Sequence, residues 1–186
     1  EIEDLCGMRA NPVSSLFLED CRVPEENLLG KVGDGLKIGL ATLDTGRLGI
    51  AAQALGIAQA AFEASVRYSK ERQQFKQAIA SFQTIQNMLA DMATEIDAGR
   101  LLLYRACALK DTASPFSAEA AMAKLYCSTL ATRVSGQAVQ IHGGYGYSKE
   151  YDVERYFRDA KVTEIYEGTS EVQRMVIARS VLTRPS

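Results

Sequence analysis

"LKIGLATLDTGRLGIAAQALGIAQAAFEASVRYSKER", residues 36–72, is the stretch on which the fold turns. Leu36, Leu40, Leu43, Arg47, Ile50, Ala54, Ile57 and Ala61 recur at alternating spacings of four and three. That repeat lines side chains along one face of an α-helix. Only Arg47 interrupts the apolar stripe. One long amphipathic helix ending near Arg72 is predicted.

Working outward, a second stripe runs through Ile85, Leu89, Met92, Ile96, Gly99, Leu103 and Ala106. A third, rich in small residues, runs through Ala121, Leu125, Thr129, Thr132, Gly136 and Val139. "DTASP" at 111–115 separates the two with turn chemistry. "HGGYGY" at 142–147 then breaks the pattern, a short segment "VERYFRDAK" follows, and a final helix is expected from about Ser170 to Leu182. Ser170 and Gln173 have the spacing of a capping box. The sum is a mainly α chain, an antiparallel bundle of three long helices and a shorter fourth over residues 31–186. Upstream, "SSLFLEDCRV" at 14–23 alternates loosely between "NP" and Pro24 and predicts one or two strands. Thirty residues cannot make a stable sheet alone. Residues 1–30 are therefore expected to be the tail of a β-domain lying mostly upstream, in a longer polypeptide.

The bulk properties exclude several functions. Of 186 residues, 47% are hydrophobic and 24% charged, and the net charge is −2. No basic field exists to attract nucleic acid, and no apolar run is long enough to span a bilayer. The four cysteines form no C-x-x-C pair, which predicts an intracellular, reduced protein. A single histidine, His142, leaves no multi-histidine metal site and little room for a Ser/His or Cys/His nucleophile.

Four places can carry chemistry. In "LDTGRLG", Asp44 and Arg47 share a helix face and either form an intrahelical ion pair or make a polar notch in an apolar wall. "KERQQFKQAIASFQ" at 70–83 gathers Arg72, Gln73, Gln74, Phe75, Phe82 and Gln83. It is either a plain connection or a binding segment for an anionic, planar ligand. In "QIHGGYGY", the glycines either turn the chain or let a ligand approach the backbone; the G-G-x-G follows no predicted strand, so it is no dinucleotide or phosphate loop. "TEIYEGTSEVQ", residues 163–173, sets Glu167 beside Gly168 at the threshold of a helix. A carboxylate there is either a solvated charge at a helix N-terminus or a general base that the glycine lets turn into a cavity.

Taken in order, "LDTGR", "RQQF…FQ", "QIHGGYGY", "ERYFRDAKVTE" and "IYEGTSEVQR" resemble the carboxyl-terminal part of the acyl-CoA dehydrogenases. "GMRANPVSSLFLEDCRVPEENLLG" at 7–30 is similar to the last strands of that family's middle β-domain. The resemblance covers essentially the whole chain. It implies α,β-dehydrogenation of an acyl-CoA thioester, with FAD as hydride acceptor, electron-transfer flavoprotein as the onward acceptor, and a homotetramer or dimer. It places the protein in the bacterial cytoplasm or the mitochondrial matrix. An α-proton beside a thioester is too weakly acidic for a free carboxylate, so such a site must hold donors at the thioester oxygen and exclude water.

By the same resemblance Glu167 matches the base and Gly168 its substrate-contacting neighbour. Thr169, Ser170 and Glu171 match residues that contact flavin. Arg72, Gln73, Gln74, Phe75, Phe82 and Gln83 match the segment reaching the FAD of an adjacent subunit. Gln140, Ile141, His142, Gly143 and Gly144 match the stretch that meets its adenosine and pyrophosphate portion. Asp44, Thr45, Gly46 and Arg47 match the lining of the acyl-CoA site. Members of isovaleryl and long-chain type carry their base at the place of Gly46. A glycine there points to a short-, medium- or short-branched-chain type, the butyryl type first, with glutaryl-CoA dehydrogenases sharing the later base position. Lys76 and Ala78 depart from the family's F-G-K-P-I, so the turn after Phe75 is expected to differ. With much of the flavin and substrate site upstream, the polypeptide alone is expected to bind flavin weakly and to be inactive. The alternative is a non-catalytic helical module for oligomerisation or partner binding.

Overall fold

The computed structural model describes residues 4–183; the extremes of the two predicted segments, 1–3 and 184–186, lie outside the described residues. Among the described residues there are five helices: α1 (Gly35–Glu71), α2 (Gln83–Asp111), α3 (Ser117–His142), α4 (Val153–Val162) and α5 (Ser170–Thr183). A two-residue antiparallel hairpin, β1 (Gln73–Gln74) and β2 (Gln77–Ala78), joins α1 to α2. Among them, no helix is long and apolar enough to cross a membrane.

The predicted first helix is α1, with Arg72 as its C-cap. Its buried face is not the predicted one at the start. Leu36 and Leu40 are 78% and 53% exposed, and burial begins with Arg47 and Leu48 and continues through Ala51, Ala54, Leu55, Ala58 and Ala61. The first turns leave these leucines largely open to solvent, Leu40 at the edge of a cleft. A 3.6-residue helix also drifts away from a strict 3.5-residue repeat.

The second stripe holds: Met92, Ile96, Gly99, Leu103 and Ala106 are buried on α2. Met92 is fully shielded, and Met92→Ala is expected to cost about 2–5 kcal/mol of stability. The denaturant midpoint checks this; a shift too small to resolve would mean that the site collapses onto the cavity.

The third stripe is a correction. α3 packs on α1, α2, α4 and α5 and is buried nearly all round, while Thr129 on the predicted stripe is exposed. Alanines and serines fill it, including Ala120, Ala123, Ser128, Ala131, Ser135 and Ala138. Their small volume lets neighbouring backbones close in, as at Gly99, whose carbonyl accepts from the Cys127 thiol at 3.6 Å. Burial pushes that thiol up to about 12, which leaves it inert as a nucleophile.

Two local expectations also change. "VERYFRDAK" is a helix in its own right, α4, with Arg158 bridging both carboxylate oxygens of Glu154 one turn away. Residues 14–23 form no strand among the described residues; they run exposed, with Leu16, Phe17 and Leu18 each more than four-fifths accessible. A strand needs a neighbour for its ladder, and among the described residues these lie exposed with none paired to them. The turn after Phe75 does have its own character. Phe75 and Lys76 both take positive φ, at 50° and 66°. That is what a two-residue type I′ hairpin demands, here without the glycine that usually relieves it.

Candidate functional site

The connection between α4 and α5 carries the opening question of chemistry. It leaves α4 through tightening turns, with the amides of Glu164 and Ile165 donating to Lys161 and Val162. Ser170 N–H then reaches back to the Glu164 carbonyl at 3.0 Å. Between them Glu167 sits at φ 54° and Gly168 at φ 88°. Gly168 holds this conformation without strain; for a glutamate it costs of order 1–3 kcal/mol and persists only when the surroundings impose it.

They do impose it. Gln173 Nε2 donates to the carbonyls of Gly168 at 2.9 Å and Glu167 at 3.2 Å. Lys124 Nζ donates to the Gly168 carbonyl at 2.8 Å. The Tyr166 hydroxyl is tied to Gln53 on α1. The predicted capping box is not made: Ser170 is the first residue of α5, and its buried hydroxyl has no hydrogen-bond partner among the described residues. Thr169 stands at the cap instead, with Val172 N–H 3.5 Å from its hydroxyl, and Gln173 is spent on the preceding carbonyls.

The carboxylate of Glu167 lies against α1. A Cβ added to Gly46 would meet Oε2 at 2.5 Å, Cδ at 2.8 Å and Oε1 at 3.0 Å. Glu167 Oε2 is closed off from solvent and has no hydrogen-bond partner among the described residues. The Glu167 N–H likewise finds no backbone acceptor among them. A lone-pair-rich oxygen and a free donor therefore lie together on one turn, over the one α1 residue that makes room for them.

Around this point the structure gathers Asp44, Gly46, Arg47, Glu167 and Gly168. Arg47 is 6% exposed and pairs with Asp44 at 2.5 Å. Ser117, at the start of α3, donates to the same Asp44 oxygen at 2.9 Å. Asp44 and Arg47 border a cleft of about 820 Å³ with Leu40, Val172, Met175 and Val176. Glu167 does not line that cleft; it meets α1 on the neighbouring face, at Gly46. Thr45 and Glu171 are exposed, Ser170 is buried, and Thr169 is half-buried.

The remaining predicted residues form a second cluster elsewhere. Arg72, Gln74, Ile141, His142, Gly143 and Gly144 line a cleft of about 450 Å³ with Tyr68 and Tyr145. Arg72 lies over the Tyr145 ring, 5.3 Å from its centroid. Ile141 and His142 line the cleft from buried positions, and His142 stacks on Tyr68 at 4.1 Å and bonds the Ala138 carbonyl. Gln140, Gln73 and Gln83 are exposed; Phe75 is exposed with its ring edge-on to half-buried Phe82. Arg47 and Arg72 stand 25 positions apart along α1, about 37 Å at a helical rise of about 1.5 Å per residue. One chain does not bring its two clusters together.

Sequence reasoning missed Lys124, Gln173, Ser117, Ser128 and Thr132. Lys124 is fully buried, and burial pushes its ammonium down to about 8, with Glu164 opposing the shift. The signal was a lone lysine in the small-residue run "AEAAMAKLYCS". Burial raises the Glu164 carboxyl, but hydrogen bonds from Lys161 and Thr132 outweigh it and hold that group below the usual carboxylate range.

Residues 33–182 match the family described as "Acyl-CoA dehydrogenase, C-terminal domain". The chain is 58% identical over 179 residues to the probable acyl-CoA dehydrogenase YngJ of Bacillus subtilis, covering 96% of this chain and 47% of that one. It is 54% identical over 180 residues to the mitochondrial short-chain specific acyl-CoA dehydrogenase of Rattus norvegicus, covering 97% and 44%. The structure of butyryl-CoA dehydrogenase from Megasphaera elsdenii superposes with a TM-score of 0.97 at 50% identity, over 98% of this chain and 48% of that one. The chain thus spans about half the length of the curated relatives it matches.

Proposed function

Since the chain belongs to the acyl-CoA dehydrogenase family, we propose that it forms the carboxyl-terminal part of an enzyme that dehydrogenates a short-chain acyl-CoA between Cα and Cβ, with Glu167 as the base. The observation that carries this reading is the Glu167 carboxylate, held by a left-handed backbone against Gly46 with one shielded oxygen unpartnered. A surface carboxylate at a helix start has no need of such a conformation.

The chain's own residues do three things. Glu167 accepts the α-proton on the oxygen that has no other partner. Its N–H, free of a backbone acceptor among the described residues, donates to the thioester oxygen and steadies the enolate-like charge that grows there. Gly46 leaves the space that the Glu167 carboxylate occupies beside α1. Asp44 and Arg47, locked together and to Ser117, supply a fixed polar border to the acyl-CoA site.

The second cluster fits FAD. A cation stacked on an aromatic ring stands beside Gly143 and Gly144, where no atom lies within 4 Å of the position a side chain would fill. Arg72, Gln74 and those two glycines would hold the pyrophosphate and adenosine, and Thr169 and Glu171 the flavin end. FAD, when bound, supplies the acceptor for the hydride from Cβ. The separation of about 37 Å between the clusters supports a reading in which each serves a different copy, and hence a homodimer or homotetramer. Residues 1–30 are read as the end of a middle β-domain, which explains their exposed apolar side chains, and electron-transfer flavoprotein as the onward acceptor.

The test uses the full-length, flavin-loaded protein mixed anaerobically with butyryl-CoA. Loss of the oxidised-flavin absorbance with formation of the enoyl thioester is expected, slower for long-chain thioesters. An unchanged flavin spectrum across an acyl-CoA length series would sink the reading.

A further inference from the structure

Three side chains on α3 stand four residues apart and face one way: Lys124, Ser128 and Thr132. Residues at that spacing stack on one side of a helix. Each donates a hydrogen bond to the connection between α4 and α5. Thr132 bonds the Glu164 carboxylate at 2.5 Å, Ser128 the Thr163 carbonyl at 2.8 Å, and Lys124 the Gly168 carbonyl at 2.8 Å. The stripe is a polar ladder inside an otherwise apolar helix, and its rungs follow the connection from its start to the turn that carries Glu167.

The top rung is the unusual one. Ser128 and Thr132 are small and neutral; Lys124 is a fully buried cation. Burying an ammonium costs several kcal/mol unless bonds and opposite charge offset it. A serine or glutamine could have bonded a carbonyl without that cost, as Gln173 does from α5 on the same oxygen. Two donors on the Gly168 carbonyl fix the peptide plane after Gly168, and Gln173 on the Glu167 carbonyl fixes the plane before it. With both planes pinned, Gly168 is locked left-handed, and one of the two planes that set the conformation of Glu167 is fixed with it.

We propose that Lys124 is a positioning residue for the dehydrogenation. From the Gly168 carbonyl it holds Glu167 left-handed, so that carboxylate and N–H face the reacting thioester together. This rests on the reading of Glu167 as the base, and it adds a residue that never touches substrate. Lys124 acts on where the base stands, so its loss lowers kcat and leaves KM and flavin content near their normal values. Gln173 stays on the same carbonyl, which limits the expected loss to roughly tenfold.

The experiment compares Lys124→Met, Glu167→Gln and the double variant in the full-length, flavin-loaded protein, by steady-state turnover of butyryl-CoA. Lys124→Met is expected to drop kcat roughly tenfold with KM within about twofold. In the Glu167→Gln background the same change is expected to have no further effect, because a base that is gone cannot be misplaced. Normal kcat in Lys124→Met overturns the proposal while leaving the base intact. So does a further tenfold drop in the double variant, since the lysine would then act independently of Glu167. If Glu167→Gln alone keeps near-normal turnover, the base reading itself falls and takes the proposal with it. Should Lys124→Met not assemble, Lys124→Leu, which also removes the donor, is read by the same outcomes.

Discussion

Glu167→Gln in the full-length, flavin-loaded protein is expected to lower kcat for a short-chain acyl-CoA by about 10²–10⁴, while flavin content and thioester binding persist. Glutamine has the shape of glutamate and bears the same backbone strain at φ 54°. The bonds that hold the turn go to the carbonyls of residues 167 and 168 and not to the side chain, so the fold is indifferent to the change. What disappears is the carboxylate able to take a proton, whose shielded Oε2 has no partner among the described residues. Stopped-flow flavin reduction and a binding titration separate the two effects. Flavin reduction at a near-normal rate would remove Glu167 as the base.

Gly46→Ala is expected to move activity and stability in opposite directions. The added Cβ would stand 2.5 Å from Glu167 Oε2 and 2.8 Å from its Cδ, well inside contact distance. The atoms in its way are the end of a side chain and no backbone, so the carboxylate gives way by on the order of 1 Å and the helices stay put. A displacement of that size at a reacting group costs about 10²-fold in rate. The substitution also replaces glycine by alanine in the interior of α1, where alanine is favoured by about 1 kcal/mol. Measured together, kcat should fall about 10²-fold while Tm holds or rises. A fall in Tm that tracks the lost activity would show that Gly46 serves packing instead.

These two positions share one volume. Gly46 on α1 and Glu167 on the α4–α5 connection lie 121 positions apart in the chain, yet the carboxylate of one fills the space of the other's missing side chain. Two carboxylates there would compete for one volume and repel one another. Glycine at 46 is the condition for a base at 167.

The helices were legible in the sequence because their signal is local. The α2 stripe survives intact from pattern to structure, and α1 ends where its pattern does. The third stripe misled because α3 is exposed only along a narrow face at Thr129, Arg133 and Gln140, and small residues pack equally well in several directions. The ten-residue α4 carries the helical repeat Val153, Tyr156, Phe157 and Ala160, but only over two turns, too short a stretch to stand out beside the long stripes. Strands at 14–23 were expected from alternation that is real, but alternation supplies no partner for a ladder.

The candidate site divides the same way. Order and spacing of short motifs brought out Glu167, Gly168, Gly46 and the Asp44–Arg47 pair, and the structure sets these within one neighbourhood. Lys124, Ser128 and Thr132 carried no motif, and Gln173 carried only a capping box that is not made. Each is an ordinary residue whose role comes from the distant backbone group it meets. The sequence by itself determined the helical class and the family, because periodicity and motif order are written along the chain. Only the tertiary structure decided that Glu167 is held left-handed over Gly46, that a buried lysine anchors its turn, and that the two clusters of one chain stand about 37 Å apart. Those depend on which faces meet once α3 is enclosed by its neighbours, and a contact between residues far apart in sequence leaves no period to read.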